Sequence, residues 1–429
     1  MAGTSSTTIV VNLTKTIVGA GMLALPFAYR AQGIVLASTT IILAAVATFA
    51  GAAVQAYSVG VVPKGDASFF TISKLTYPSL AILFDLAIAV KCFGVGVSYL
   101  VITGNLMPSI AAYFGADGDS IFLSRVFWLV LAMAVVGPLS YLRSLESLRY
   151  TSIVGLFSVT YLVAMVVGHF LAGDTIDQRG PVSVYKPVGV YEVFRSLPII
   201  VFAYTCGHNV YSALNEAAFD SLSVSLKVIG TCLGLGGAIY LLVGLTGYLS
   251  FGVNVSDNII SMYPQSPLST FGRVAIVVLV VLSFPLLSHP CRASICYILE
   301  SIRHDPNRAP HEELALLHPT QERPITPLVT TKEHIVVTSL ILIATFIIAC
   351  SVESLELVLA IVGATGATAI SFILPGIFAY ALGSSDLENR LITLTPSQKT
   401  MMKYGGLALT IWGITVTIVC LGSTFASLN

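Results

Sequence analysis

Apolar residues in this chain gather into long runs separated by short polar breaks. A helical span of a bilayer needs ~20 mostly apolar residues. Eleven stretches meet or approach that measure: Thr8–Tyr29, Ile34–Val59, Ile82–Tyr113, Val126–Leu142, Ser152–Leu171, Phe194–Glu216, Leu226–Phe251, Phe271–Ile302, His334–Ser351, Leu355–Leu382 and Gly405–Ala426. The pattern predicts an all-α membrane protein with about eleven transmembrane helices. The longest polar stretch, Arg303–Glu333, is rich in Pro, His and charge and reads as one loop. No composition shift divides the chain, so residues 1–429 are expected to form a single transmembrane domain.

Composition narrows the function. Of the 429 residues, 55% are apolar and only 10% charged, whereas a soluble protein carries about 25% charge. The lipid bilayer is therefore a partner. With 21 basic and 21 acidic residues there is no basic footprint for nucleic acid. A mean hydropathy of +0.88 excludes intrinsic disorder. All seven cysteines lie in apolar runs without a C-x-x-C pair, so neither a disulfide framework nor a zinc site is expected. Nor is an enzyme or a cofactor. His311-Glu312-Glu313 does not make a metalloprotease motif, and Gly234-x-Gly236-Gly237 lies inside a span with no strand before it. No Walker motif supports ATP-driven transport. No cleavable signal precedes the first span, which is expected to anchor itself.

Basic residues orient the chain. With a cytosolic N-terminus, the loops on that side carry Lys64, Lys74, Arg143, Arg149, Lys227, Arg303, Arg308, Arg323, Lys332, Arg390, Lys399 and Lys403. The opposite loops carry only Arg30, Arg125, Arg179, Lys186 and Arg273. This bias predicts the N-terminus inside. The glycosylation pattern Asn254-Val-Ser256 would then face the outer or lumenal side.

Two spans are interrupted. The first contains Gly19-Ala20-Gly21 and the sixth contains Tyr204-Thr205-Cys206-Gly207. Small and polar residues in mid-span weaken a helix. Broken helices at corresponding positions of two halves point to an inverted-repeat transporter with its site at the breaks; close packing by small residues is the competing explanation.

At these residues the sequence resembles the amino acid/auxin permease family of the APC superfamily, and within it the fungal vacuolar and the sodium-coupled neutral amino acid transporters. The stretch from Asn12 to Pro26 is similar to the family's opening motif. Six further stretches follow in order: Gly94-Val-Gly-Val-Ser-Tyr99, Ser196 to Cys206, Gly247-Tyr-Leu-Ser-Phe-Gly252, Asn258 to Pro264, Pro285 to Arg292, and Val362-Gly-Ala-Thr-Gly-Ala-Thr368. The resemblance implies a LeuT-like 5+5 inverted repeat, with a first repeat over residues 8–172, a second over 191–382 and an extra helix over 403–427. It implies secondary amino acid transport driven by protons or sodium, and favours a vacuolar or lysosomal membrane over the plasma membrane. An amino-acid sensor on the same fold is the alternative from another class.

An amino acid at the bilayer midplane needs donors for its carboxylate and acceptors for its ammonium, because unpaired groups there cost several kcal/mol. The break at Gly19, Ala20 and Gly21, with Thr16 beside it, frees N–H groups at a helix start, which suits a carboxylate. Freed carbonyls around Tyr204, Thr205 and Cys206 suit an ammonium. Tyr99 is a candidate to bond the carboxylate from the third span; a core or interface tyrosine is the alternative. Phe202 and Tyr204 are candidates to line or gate the side-chain pocket; ordinary packing is the alternative for both. Substrate preference leans toward neutral amino acids.

Charged residues inside spans are functional candidates. Lys15 lies one turn before Gly19, at a register where the sodium-coupled relatives resemble one another in holding a sodium-binding asparagine. A lysine there supplies a built-in positive charge and favours protons or uniport over sodium; snorkelling to the interface is the alternative. Lys91 is too deep in the third span to snorkel easily and is expected to titrate or pair. His208 titrates in the physiological range, but the relatives often place a histidine directly after the cysteine, where this chain has Gly207. Ser283 is a candidate oxygen near a cation site. Pro285 and Pro290 are expected to bend the eighth span, with Arg292 structural. Glu216, Glu353 and Glu356 are expected to be solvated loop charges.

Overall fold

The computed structural model describes residues 4–142, 151–303, 331–385, 387 and 389–426. Arg143, Arg149, Arg308, Arg323, His311-Glu312-Glu313 and most of the Arg303–Glu333 stretch lie outside these residues. Among the described residues the regular structure is helical, with one isolated bridge between Thr4 and Ala217.

The chain begins with α1 (Ser6–Ile17), capped by the Ser5 hydroxyl, which accepts from the Thr8 N–H. It breaks at Val18 and Gly19, makes a 3-10 turn over Ala20–Ala24 and resumes as α2 (Leu25–Gln32) at a bend of 44°. Then follow α3 (Ile34–Ser58), the short α4 (Phe69–Thr76), α5 (Ala81–Tyr113), α6 (Arg125–Ser140) and α7 (Thr151–Ala172). The second broken pair is α8 (Val190–Ala203) and α9 (Gly207–Asn215). Next come α10 (Leu222–Phe251), the one-turn α11 (Ile259–Met262), α12 (Pro267–Arg303) and α13 (Thr331–Ser351). Helix α14 (Leu355–Val362) continues through π-helical turns at Gly363–Ala367 and Ala369–Ile373 into α15 (Leu374–Ser384), and α16 (Pro396–Ala426) closes the fold.

Among the described residues, eight helical stretches are long and apolar enough to cross a membrane, or nine with the bent α1–α2 pair. The expected eleven is not reached by this measure. Helix α6 has only 16 residues, and the sixth expected span is divided into pieces of 14 and 9. Exposed Leu43, Val46, Ile347 and Ile418 face outward, as lipid contact requires. Pro285 and Pro290 lie within a single helix, α12.

Inside, helices meet at glycines. A Cβ on Gly94 of α5 would lie 2.0 Å from the Val362 side chain, and one on Gly363 would lie 2.1 Å from the Pro198 carbonyl. The face of the bundle remote from the N-terminus is tied by charge. Arg195 of α8 meets Glu356 of α14 at 2.5 Å, and Asp257 accepts from the Glu356 N–H at 3.1 Å. Glu356 is buried, not the solvated loop charge expected. On the other face Arg390 pairs with Asp220 and donates to the Val59 and Val62 carbonyls. Arg292 is structural: it donates to the Ser140 carbonyl at 2.9 Å and to Thr338 at 3.0 Å, joining α12 to α6 and α13.

Candidate functional site

A cavity of about 190 Å³ lies where the two helix breaks face each other. Its wall includes Lys15, Thr16, Gly19, Ala20 and Gly21 from the first break, and Phe202, Ala203, Thr205, His208 and Asn209 from the second. Helix α5 contributes Lys91, Val95 and Tyr99; α7 contributes Gly155 and Val159; α12 contributes Leu279, Val280 and Ser283.

The first break presents backbone. Helix α1 ends when the Val18 N–H bonds the Thr14 carbonyl at 2.8 Å, and Gly19 then turns extended. The 3-10 turn opens with the Met22 N–H on the Gly19 carbonyl at 3.2 Å and ends with the Leu25 N–H on the Met22 carbonyl. Among the described residues, nothing accepts from the N–H groups of Ala20 and Gly21. A Cβ at Gly19 would meet no atom within 4 Å, so this glycine opens onto free space. A Cβ at Gly21 would lie 3.2 Å from the Phe202 ring, which closes the cavity there.

The second break presents side chains. Helix α8 ends as the Thr205 N–H bonds the Phe202 carbonyl at 3.0 Å, and α9 starts as the Asn209 N–H bonds the Cys206 carbonyl at 2.8 Å. The Thr205 hydroxyl donates back to the Val201 carbonyl at 2.9 Å. Asn209 donates to the Thr16 hydroxyl at 3.1 Å and so ties α9 to α1.

Two expected residues do not reach the cavity. Tyr204 is fully buried away from it, packed edge-on against Tyr240 with ring centroids 5.0 Å apart. Cys206 is buried as the N-cap of α9 and does not line the wall. Unwound backbone has no helical period to fix the direction of successive side chains, and here the chain turns Tyr204 and Cys206 inward and leaves Thr205 at the wall. The other expected residues, Thr16, Gly19, Ala20, Gly21, Tyr99, Phe202, Thr205, Lys15, Lys91, His208 and Ser283, share this one cavity.

The basic residues occupy distinct places. The Lys15 side chain crosses toward α7 and α12: its Cε would be 3.0 Å from a Cβ at Gly155, which lies beside the Leu279 side chain. Lys91 is buried, and its ammonium donates to His208 Nε2 at 3.0 Å. The shift of the histidine by one place therefore does not remove it from the site, because α9 restarts at Gly207 and carries it onto Lys91. Asp85 turns instead to Ser294 on α12.

Two participants went unnoticed in the sequence. Asn209 stands one helical turn after Thr205, a spacing that offered a signal. Tyr240 carried none: its hydroxyl reaches the Ile17 carbonyl at 2.5 Å from 223 residues along the chain.

The family described as "Transmembrane amino acid transporter protein" matches residues 2–419. Vacuolar amino acid transporter 6 of Saccharomyces cerevisiae is 40% identical over 444 aligned positions, covering 96% of this chain and 97% of that protein. Vacuolar amino acid transporter 5 of Schizosaccharomyces pombe is 39% identical, covering 98% of this chain and 94% of that protein. Sodium-coupled neutral amino acid transporter 7 of Danio rerio is more distant, at 23% identity over 95% of this chain and 85% of that protein. Among solved structures, MhsT in complex with L-phenylalanine superposes with a TM-score of 0.56 at 12% identity, over 97% of this chain and 98% of that one. The likeness extends to the fold alone.

Proposed function

The chain belongs to the transmembrane amino acid transporter family, and from that premise we propose a proton-coupled carrier that works by alternating access at the vacuolar membrane. That it moves amino acids and is not an enzyme follows from the family. The observation that carries the finer reading is one cavity holding both helix breaks together with Lys15 and the Lys91–His208 pair.

The amino acid lies across the two breaks. Its carboxylate takes the unpaired N–H groups of Ala20 and Gly21, at the positive end of a helical turn. Its ammonium faces the second break, between α8 and α9, at Thr205. Val95, Val159, Leu279 and Val280 supply an apolar wall for a neutral side chain. A second reading has its own support: the residues lining the cavity include three basic side chains and no carboxylate, which suits an acidic side chain and disfavours a basic one.

Coupling follows from the Lys91–His208 contact. A histidine nitrogen accepts a hydrogen bond only while it keeps its lone pair. A second proton on the pair sets two cations about 3 Å apart with no carboxylate in the cavity wall to offset them, so the bond breaks. His208 sits in the first turn after the break, and its protonation is felt there directly. Lys15 holds a fixed positive charge between α1, α7 and α12 in place of a bound cation. One proton crossing with 100 mV contributes ~2.3 kcal/mol, or roughly a fifty-fold gradient.

The test is uptake of a radiolabelled amino-acid panel into proteoliposomes, with pH and sodium gradients imposed separately. Uptake driven by the pH gradient alone is the expected result. Stimulation only by sodium overturns the coupling, and indifference to both gradients makes the protein a uniporter.

A further inference from the structure

Tyr240 stands outside the cavity yet touches both of its halves. It is fully buried on α10. Its hydroxyl lies 2.5 Å from the Ile17 carbonyl and 2.6 Å from the Ala203 carbonyl. Ile17 is the last residue of α1 and Ala203 the last of α8, so these are the terminal carbonyls at the two breaks. A helix end leaves its last carbonyls without intrahelical donors, and away from water each must find one. A tyrosine hydroxyl has a single proton. Here that proton is shared by two acceptors on two different broken helices.

The approach of α10 is itself built. A Cβ on Gly236 would lie 2.7 Å from the Ile17 side chain, and one on Gly237 would lie 2.8 Å from the Tyr204 hydroxyl. The two glycines let the helix close in until the hydroxyl, one turn further on, reaches both carbonyls. The Tyr204 ring braces the Tyr240 ring from the side.

We propose that Tyr240 is a positioning residue for the amino-acid site: its hydroxyl fixes the spacing between the two breaks, so that the N–H groups of the first stand at the right distance from the acceptors of the second. It touches no substrate. Two other ties between the broken helices, Gln32 to Ser196 at 2.9 Å and Asn209 to Thr16, lie to either side and are made by those helices themselves. Among the described residues, Tyr240 alone hydrogen-bonds the terminal carbonyls of both breaks from a third helix. The inference rests on the proposed site at the breaks.

The test compares purified wild type with Tyr240→Phe, Tyr248→Phe and Gly19→Leu. The probe is the tritiated amino acid that wild type binds most tightly when the twenty are assayed singly. Tyr248 is an equally buried tyrosine on the same helix whose hydroxyl accepts from the Ser183 N–H at 2.9 Å, away from the cavity. Affinity per folded molecule is expected to fall about tenfold in Tyr240→Phe, which corresponds to ~1.4 kcal/mol, and to stay within about twofold in Tyr248→Phe, although both lose a buried hydrogen bond. Gly19→Leu, which fills the cavity, is expected to lose binding. If Gly19→Leu binds like wild type, the site reading fails. If Gly19→Leu loses binding while Tyr240→Phe retains wild-type affinity, the positioning role alone is overturned. Should Tyr240→Phe not fold, a ring-fluorinated tyrosine at position 240 keeps the shape and alters the hydroxyl's donor strength; unchanged affinity there also overturns the proposal.

Discussion

Each of the two helix breaks carries a glycine, and the two are there for opposite reasons. At Gly19 a Cβ would meet nothing within 4 Å; at Gly207 it would lie 2.9 Å from the Gln55 amide and 3.0 Å from Ile370. The first break is open and offers bare backbone to the cavity. The second is wedged against α3 and the π-helical stretch before α15, and sends side chains forward from a fixed base. On the proposed reading the first break recognises the amino acid and the second anchors. Its anchored side chains, His208 and Asn209, are therefore the ones able to report a proton or a partner helix across the cavity.

The largest expected effect separates the two glycines. Overpacking costs about 1–3 kcal/mol. In Gly19→Val that cost falls on the bound state, so affinity drops about ten- to hundredfold while the melting temperature in detergent stays near wild type. In Gly207→Val the same cost falls on the folded state: melting drops and the surviving protein still binds. A matching loss of stability at both positions would erase the distinction between them.

Next in size is the proton link. Lys91→Met removes the donor to His208, and proton-coupled accumulation driven by a 100 mV potential should collapse from roughly fifty-fold toward equilibration. Substrate exchange without a gradient should persist, as counterflow in the same vesicles will reveal. Full accumulation in this variant would place coupling elsewhere.

A smaller change is expected at the bond between the breaks. Asn209→Ala removes the donor to Thr16, and a hydrogen bond of about 0.5–1.5 kcal/mol corresponds to about a two- to tenfold rise in the substrate concentration for half-maximal uptake. The smallest belongs to Cys206, whose side chain faces away from the cavity. Cys206→Ala is a mild change of volume and should leave uptake within about twofold; a large loss would mean that Cys206 reaches the substrate after all.

Small residues in mid-span also serve close packing, and the first break was legible because the matching interruption five spans later gave Gly19-Ala20-Gly21 a counterpart. Lys91 was legible for a similar reason: a charge that deep must have a purpose. At the second break residue type alone did not say which side chains line the cavity. Tyr204 and Cys206 looked equivalent to Thr205, since an unwound segment gives no periodicity to say which side chain faces in. Glu356 looked like loop charge, because its partner Arg195 comes close only once α8 and α14 pack. The pair of glycines at 236 and 237, unremarkable in a membrane helix, acquires its meaning only from Ile17 and Tyr204 on the other side of the contact. What periodicity and residue type encode locally could be read; what depends on two distant segments meeting could not.

The central claim is that the amino acid binds between the two breaks, over Gly19. It can be tested directly by placing a cysteine there, Gly19→Cys, in a chain whose half-exposed Cys350 is replaced by Ser. The rate of modification by a small anionic methanethiosulfonate would be measured with and without saturating amino acid. Occupancy at ~100 times the dissociation constant leaves about 1% of sites free, so labelling should slow by at least about tenfold. Labelling that proceeds at an unchanged rate under saturating substrate, in protein that still takes it up, would contradict the account.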